Sequence, residues 1–121
     1  MNKHKIFDSE YRFCLILWEN EPVGSTQLVR ICKEELGWSK ATTYTVIRRL
    51  SERGIIKNEN ATVTSLISKE EAEEAEIDEL VEKTFGGSIP AFVAAFTKKK
   101  DLSPREIEEI RRMIDNYGAD K

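Results

Sequence analysis

Hydrophobic residues recur with helical period along almost the whole chain. Tyr11, Cys14, Leu15 and Trp18 fall at i, i+3, i+4 and i+7, and Asp8 or Ser9 is placed to cap that first helix. Asn20-Glu21-Pro22 ends it. A second helix opens at Gly24 or Ser25, with Leu28, Ile31, Cys32 and Leu36 on its inner face and Gly37 as a left-handed residue at its end. Only Trp38 then precedes Ser39, the expected N-cap of a third helix that runs to about Arg53 and stops at Gly54. A connection this short makes two helices cross steeply, as in a helix-turn-helix.

After Gly54 the period changes from helical to alternating. Ile55-Ile56-Lys57 and Val63-Thr64-Ser65-Leu66-Ile67 are β-branched, and Asn58-Glu59-Asn60-Ala61 between them is turn-like, which predicts a β-hairpin. Three helices followed by such a hairpin make a winged helix. Ser68-Lys69-Glu70-Glu71 is a capping box for a fourth helix, whose apolar stripe is Ile77, Leu80 and Val81, and Gly86-Gly87 breaks it. A fifth helix starts at Ser88 or Ile89. Ser103-Pro104-Arg105-Glu106 starts the sixth, with Ile107, Ile110, Ile114 and Tyr117 along one seam. The predicted fold class is mainly α with a small β-hairpin: a winged helix-turn-helix over 1–67 and a helical segment over 68–121.

That second segment is too short to enclose its own apolar faces. Ile89, Phe92, Val93 and Phe96 on the fifth helix, with Leu102, Ile107, Ile110 and Ile114 after it, would leave a patch that soluble monomers rarely tolerate. A second copy of the same segment covers it economically, so these residues are the expected homodimer contacts.

Composition removes most other chemistry. The chain has 121 residues, is 34% charged, and has only 6 Gly and 3 Pro, which fits an ordinary globular domain. No apolar run approaches the ~20 residues of a membrane span, and the N-terminus lacks the apolar core of a secretory signal. A cytoplasmic protein without membrane insertion is expected. Cys14 and Cys32 are in phase with core positions, where free cysteine packs as a small hydrophobe rather than as a redox or metal sensor. His4 is the sole histidine, and Phe85-Gly86-Gly87-Ser88 lacks the Lys-Ser or Lys-Thr of a phosphate loop. The expectation is therefore a non-enzyme with no cofactor and no metal.

Charge divides the chain unevenly. Residues 1–67 carry ten basic and eight acidic side chains, and residues 68–121 carry nine and fourteen, giving +2 and −5 of the net −3. The acidic run Glu70–Glu82 fits a solvated helix face, and Lys98-Lys99-Lys100 a solvated connector. On the third helix, Thr43, Val46, Ile47 and Leu50 share one side at about 100° per residue. The other side holds Ala41, Tyr44, Thr45, Arg48 and Glu52, with Thr42 and Arg49 on its flank and Lys40 in the first turn, after Ser39 at the cap. Ser39 to Leu50 contains no acid in a chain with 22 of them. Arginine reads guanine, methyl groups meet thymine, and hydroxyls serve bases or phosphates, so this face suits a major groove. Lys57, Asn58 and Asn60 are the candidate wing contacts. Tyr44 is equally suited to packing at the edge of the core.

The stretch Trp38-Ser39-Lys40-Ala41-Thr42-Thr43-Tyr44-Thr45-Val46-Ile47-Arg48-Arg49-Leu50, with Arg53-Gly54-Ile55-Ile56, resembles the penicillinase-repressor family (BlaI/MecI, with the related copper-responsive repressors). Phe85-Gly86-Gly87-Ser88, Ala95-Phe96 and Leu102-Ser103-x-x-Glu106-Ile107-Glu108-Glu109-Ile110 extend the resemblance over nearly the whole chain. It implies a homodimeric repressor that binds a palindromic double-stranded DNA operator through the third helix. It also implies a membrane sensor-protease as partner, cutting the dimerisation segment at Ala95–Phe96. The chain departs from the pattern in several respects. Ala41 and Tyr44 stand where staphylococcal members have basic residues, Ala95 stands in place of Asn, the wing is poor in bases, and the copper branch's Cys-x-Cys pairs are missing. Two other functions fit a winged helix: a protein–protein interaction module, or a ligand-responsive regulator without protease control.

Overall fold

The computed structural model describes residues 5–99 and 101–118, so His4 and Lys100 lie outside the described residues. The first helix, α1 (Asp8–Asn20), has Phe7 at its N-cap, not Asp8 or Ser9. The Glu10 carboxylate folds back to accept the Phe7 N–H at 3.0 Å and fills the cap role from inside the first turn. The buried face of α1 is Phe13, Cys14, Ile16 and Leu17, while Tyr11, Leu15 and Trp18 are half-buried. The expected stripe was too narrow because α1 packs on two neighbours, the second helix and the hairpin.

Val23–Gly24 forms a short strand, β1, which the sequence pattern did not predict. The next helix, α2 (Ser25–Leu36), ends at Gly37, whose φ of 71° is left-handed as expected. Ser39 caps α3 (Lys40–Glu52), its hydroxyl accepting the Thr42 N–H at 3.1 Å. Thr43, Val46, Ile47 and Leu50 are all buried, which is the predicted core face of this helix.

The wing is tighter than predicted. Its strands are β2 (Ile56–Glu59) and β3 (Thr62–Ser65), so Asn58 and Glu59 belong to a strand, while Ile55, Leu66 and Ile67 lie outside. Only Asn60 and Ala61 turn the chain, both at positive φ (53° and 60°), the backbone of a two-residue hairpin. The antiparallel sheet runs β1-β3-β2, with Val23 opposite Val63 and Ile56 opposite Ser65. Beneath it Phe13, Leu17, Leu28, Leu50, Ile55, Ile56 and Val63 are buried almost completely. Each such side chain contributes about 1.5–3 kcal/mol of transfer free energy. Polar ties lock the layers: Trp18 Nε1 donates to the Ile67 carbonyl at 3.1 Å, and the Glu21 carboxylate accepts the Ser65 N–H at 2.7 Å and its hydroxyl at 2.8 Å.

The fourth helix, α4 (Lys69–Phe85), opens on the predicted capping box, with Ser68 and Glu71 bonded reciprocally. On its expected stripe Val81 is buried, whereas Ile77 and Leu80 are exposed. Gly86 and Gly87, both at positive φ, then break the helix. Ser88 precedes α5 (Ile89–Lys99), and Ser103 and Glu106 form the capping box of α6 (Pro104–Asp115). Lys98 and Lys99 close α5 instead of forming a connector. The chain separates into two units between Glu79 and Leu80, inside α4, while the expected boundary at 67/68 coincides with the start of that helix. Among the described residues no helix is long and apolar enough to cross a membrane.

Candidate nucleic-acid interface

The site is built by the three-residue link between α2 and α3. Gly37 reverses the chain, Trp38 stacks on Phe13 at 6.3 Å between ring centroids, and Ser39 starts the new helix. One face of α3 is thereby sunk in the core, which forces the other outward. Ser39, Lys40, Ala41, Thr42, Arg48 and Arg49 are exposed, while Tyr44 and Thr45 are half-buried. The Ser39 hydroxyl donates to Thr42 Oγ1 at 2.9 Å, pairing two hydroxyls at the open N-terminal end.

The basic groups of this region divide by whether they are already engaged. Arg53, at the end of α3, gives two hydrogen bonds to the Glu10 carboxylate (2.7 and 2.9 Å) and one to the Lys5 carbonyl (2.7 Å). That fork is spent on the fold. Lys40, Arg48 and Arg49 form no ion pair among the described residues. An exposed cation without an intramolecular partner can exchange its counterions for a phosphate, so these three are the groups available to a polyanion.

Tyr44 points back to the helix-turn-helix. Its ring packs against the core, and its hydroxyl lies 3.4 Å from Ser25 Oγ, donating to it. Ser25 is a residue that the sequence reading missed. It is buried, its N–H donates to the Ala61 carbonyl at 2.8 Å, and it thus joins α2, α3 and the wing tip. Nothing in the local pattern marks it, since its partners lie 19 and 36 positions away. On the wing, Lys57, Asn58 and Asn60 are exposed, and the Lys57 ammonium stands 3.8 Å from the Glu59 carboxylate.

Both cysteines are buried. Burial, with the nearby Glu10 charge adding to it, pushes the Cys14 thiol up to about 12, and burial raises Cys32 also. Neither is a thiolate at neutral pH, the packing role expected of them.

The second unit carries a different surface. Phe92, Val93, Phe96, Leu102, Ile107, Ile110 and Ile114 line one open groove of about 680 Å³, so seven of the eight predicted contact residues lie together. Ile89 is outside the groove and exposed. Phe92 meets Phe85 edge-on and Phe96 at a tilt, with ring centroids 5.6 and 6.3 Å away, and α6 has no buried residue at all. Ala95 is half-buried on α5, and Phe96 is 47% exposed.

Comparison with known proteins covers the same span as this architecture. Residues 6–116 match the family described as penicillinase repressor. The chain is 27% identical to the methicillin resistance regulatory protein MecI of Staphylococcus aureus (strain Mu50) over 115 residues, covering 92% of this chain and 94% of that protein. It is 27% identical to the penicillinase repressor of Staphylococcus aureus, over 91% of this chain and 90% of that one. To the penicillinase repressor of Bacillus licheniformis it is 19% identical, over 93% and 91%.

Proposed function

Because the chain belongs to the penicillinase repressor family, we propose that it represses transcription as a homodimer on a palindromic double-stranded DNA operator, with α3 in the major groove of each half-site. Members of this family are transcriptional regulators and not enzymes. The observation that carries the operator reading is the division of α3: four core-face residues buried, and Lys40, Arg48 and Arg49 exposed away from them with no ion pair among the described residues. Arg48 then reads a base, while Lys40, Arg49 and the Ser39–Thr42 hydroxyls hold phosphates. Thr45 and Ala41 offer methyl groups to thymine. The names of the relatives extend the proposal to the control of β-lactam resistance genes.

Dimerisation is assigned to the groove between α5 and α6, which a second copy of α6 would fill. Release is assigned to a membrane sensor-protease that cuts Ala95–Phe96, within the helix that forms one wall of the groove. Selection of bound sequences from a random duplex pool tests the reading. A two-fold symmetric consensus is expected, with binding that weakens at a log–log salt slope of about one per neutralised phosphate. Recovery of no consensus, with binding indifferent to salt, would point to a winged helix used for protein contact.

A further inference from the structure

Lys5 stands at the junction of two sets of contacts. Its main-chain carbonyl accepts a hydrogen bond from Arg53 Nη2 at 2.7 Å, and Arg53 is the C-cap of α3. Its side-chain ammonium pairs with Glu79 Oε1 on α4, also at 2.7 Å, and the Glu76 charge on the same helix adds to the attraction. Around this node, Glu10 accepts from Arg53 and from the Phe7 N–H, and the cations of Lys5 and Arg53 lie 5.6 and 5.7 Å from the centroid of the same Phe7 ring. The end of the recognition helix is thus joined through one residue to α4.

The place of that joint on α4 matters. Ala72, in the first turn, is the α4 residue buried in the winged-helix core. Beyond it, Glu73, Glu76 and Ile77 border an open cleft with Ile6, Asp8 and Tyr11 rather than closing on the core. Glu79 lies seven residues after Ala72, about 10 Å along the axis, so a second tie there fixes the direction of the helix. Glu79 is also the last residue of the first unit, and α4 continues from it without a break to Phe85.

We propose that Lys5 is a positioning residue for operator binding: by tying the end of α3 to α4 at Glu79, it fixes how each recognition helix is held relative to the helix that leads to the second copy. The inference rests on the operator reading above. In such a dimer the direction of α4 sets the separation of the two recognition helices, hence the half-site spacing that is accepted. The tie is partly exposed, with Lys5 and Glu79 side chains 40% and 29% accessible. A pair of this kind supports a change of about two- to fivefold, not more.

The test uses the full-length chain, the duplex selected above, versions with one base pair inserted or removed between half-sites, and a single half-site duplex. Lys5→Met keeps the carbonyl and most of the stem, and Glu79→Gln keeps the shape of its side chain. Each is expected to bind the single half-site within twofold of the parent, yet to lose about two- to fivefold of its preference for the native spacing. Because Glu76 also attracts the Lys5 ammonium, Lys5→Met should lose at least as much as Glu79→Gln, and the double variant no more than Lys5→Met alone. Unchanged spacing preference in both single variants overturns the proposal. So does a loss that falls equally on the half-site. A parent protein that selects no duplex overturns the operator reading itself, before any variant is compared.

Discussion

Glu10 is an acid only 6% exposed, and its burial is tolerable because the Arg53 guanidinium grips both of its oxygens. Hydrogen bonding from Arg53 holds this carboxyl below its ordinary value of 4.5, against burial, which pushes the other way. A carboxylate depressed in the folded state stabilises the fold above its unfolded pKa, and loses that contribution as pH falls through the depressed value. Glu10→Gln is therefore expected to cost about 1–3 kcal/mol at neutral pH, because Gln keeps the shape but not the charge-assisted fork. The cost should begin to shrink as pH falls below the ordinary value of 4.5 and go on shrinking as pH passes through the depressed folded value, where the parent side chain itself becomes neutral. Urea unfolding at pH 7 and pH 3 measures it, and a penalty independent of pH would remove charge from the explanation. The cysteines make the opposite case, of reactivity suppressed by packing. With Cys14 pushed up to about 12 and Cys32 raised, a thiol reagent at pH 8 should find neither group in the native protein and both after unfolding. Rapid native labelling of either would place it outside the core.

Elements differ in how plainly the sequence announces them. The third helix was legible residue by residue, because its start, its stop and its stripe of Thr43, Val46, Ile47 and Leu50 are all local signals. Its outward face, Lys40 to Arg49, was legible for the same reason. The first helix was legible only as a helix. It is pressed between α2 and β3, so its buried face widens to Phe13 and Leu17, which a single seven-residue stripe leaves out. Strand β1 is two residues long and exists by pairing with Val63 and Thr62, forty positions away, so no local period can reveal it. Glu10 with Arg53, and Ser25 with Tyr44 and Ala61, are likewise invisible along the chain because only the folded backbone brings them together. Within α3, position on the helix separates two exposed arginines. Arg48 projects from the centre of the outer face and Arg49 from its flank. Arg48→Ala should relax discrimination by about 1–3 kcal/mol at one base pair of each half-site, while Arg49→Ala should weaken all duplexes about equally. A panel of single-base operator variants decides between them, and identical profiles for the two would end the distinction.

At the scale of the whole molecule, the exposed bases of α3 and the apolar groove of α5 and α6 occupy different units of the chain, and the proposed repression needs both. Residues 1–67 are net positive and residues 68–121 net negative, so the second segment gains nothing from phosphates and is free to serve self-association. Its α6 buries no residue of its own, and Ile107 and Ile110 remain 41% and 38% exposed in the groove they line with Phe92 and Phe96. Apolar surface of that extent favours a partner of the same kind. Joining two reading heads makes the second half-site contact intramolecular, at an effective concentration in the millimolar range, and multiplies affinity by about 10²–10⁴ without any new DNA contact. Ile110→Asp places a charge in the middle of the groove and should separate the copies, while the fold of residues before Glu79 is untouched. The expected result is a sedimentation coefficient of a monomer at micromolar concentration. Affinity for the two-site operator should fall by about 10²–10⁴, with binding to a single half-site left as it was. Cutting Ala95–Phe96 severs α6 from the rest of the chain and should give the same pair of changes, which mass spectrometry of the repressor from induced cells can follow alongside binding. A variant that remains dimeric, or a monomer that still holds the full operator as tightly as the parent, would show that the groove is not what couples the two heads.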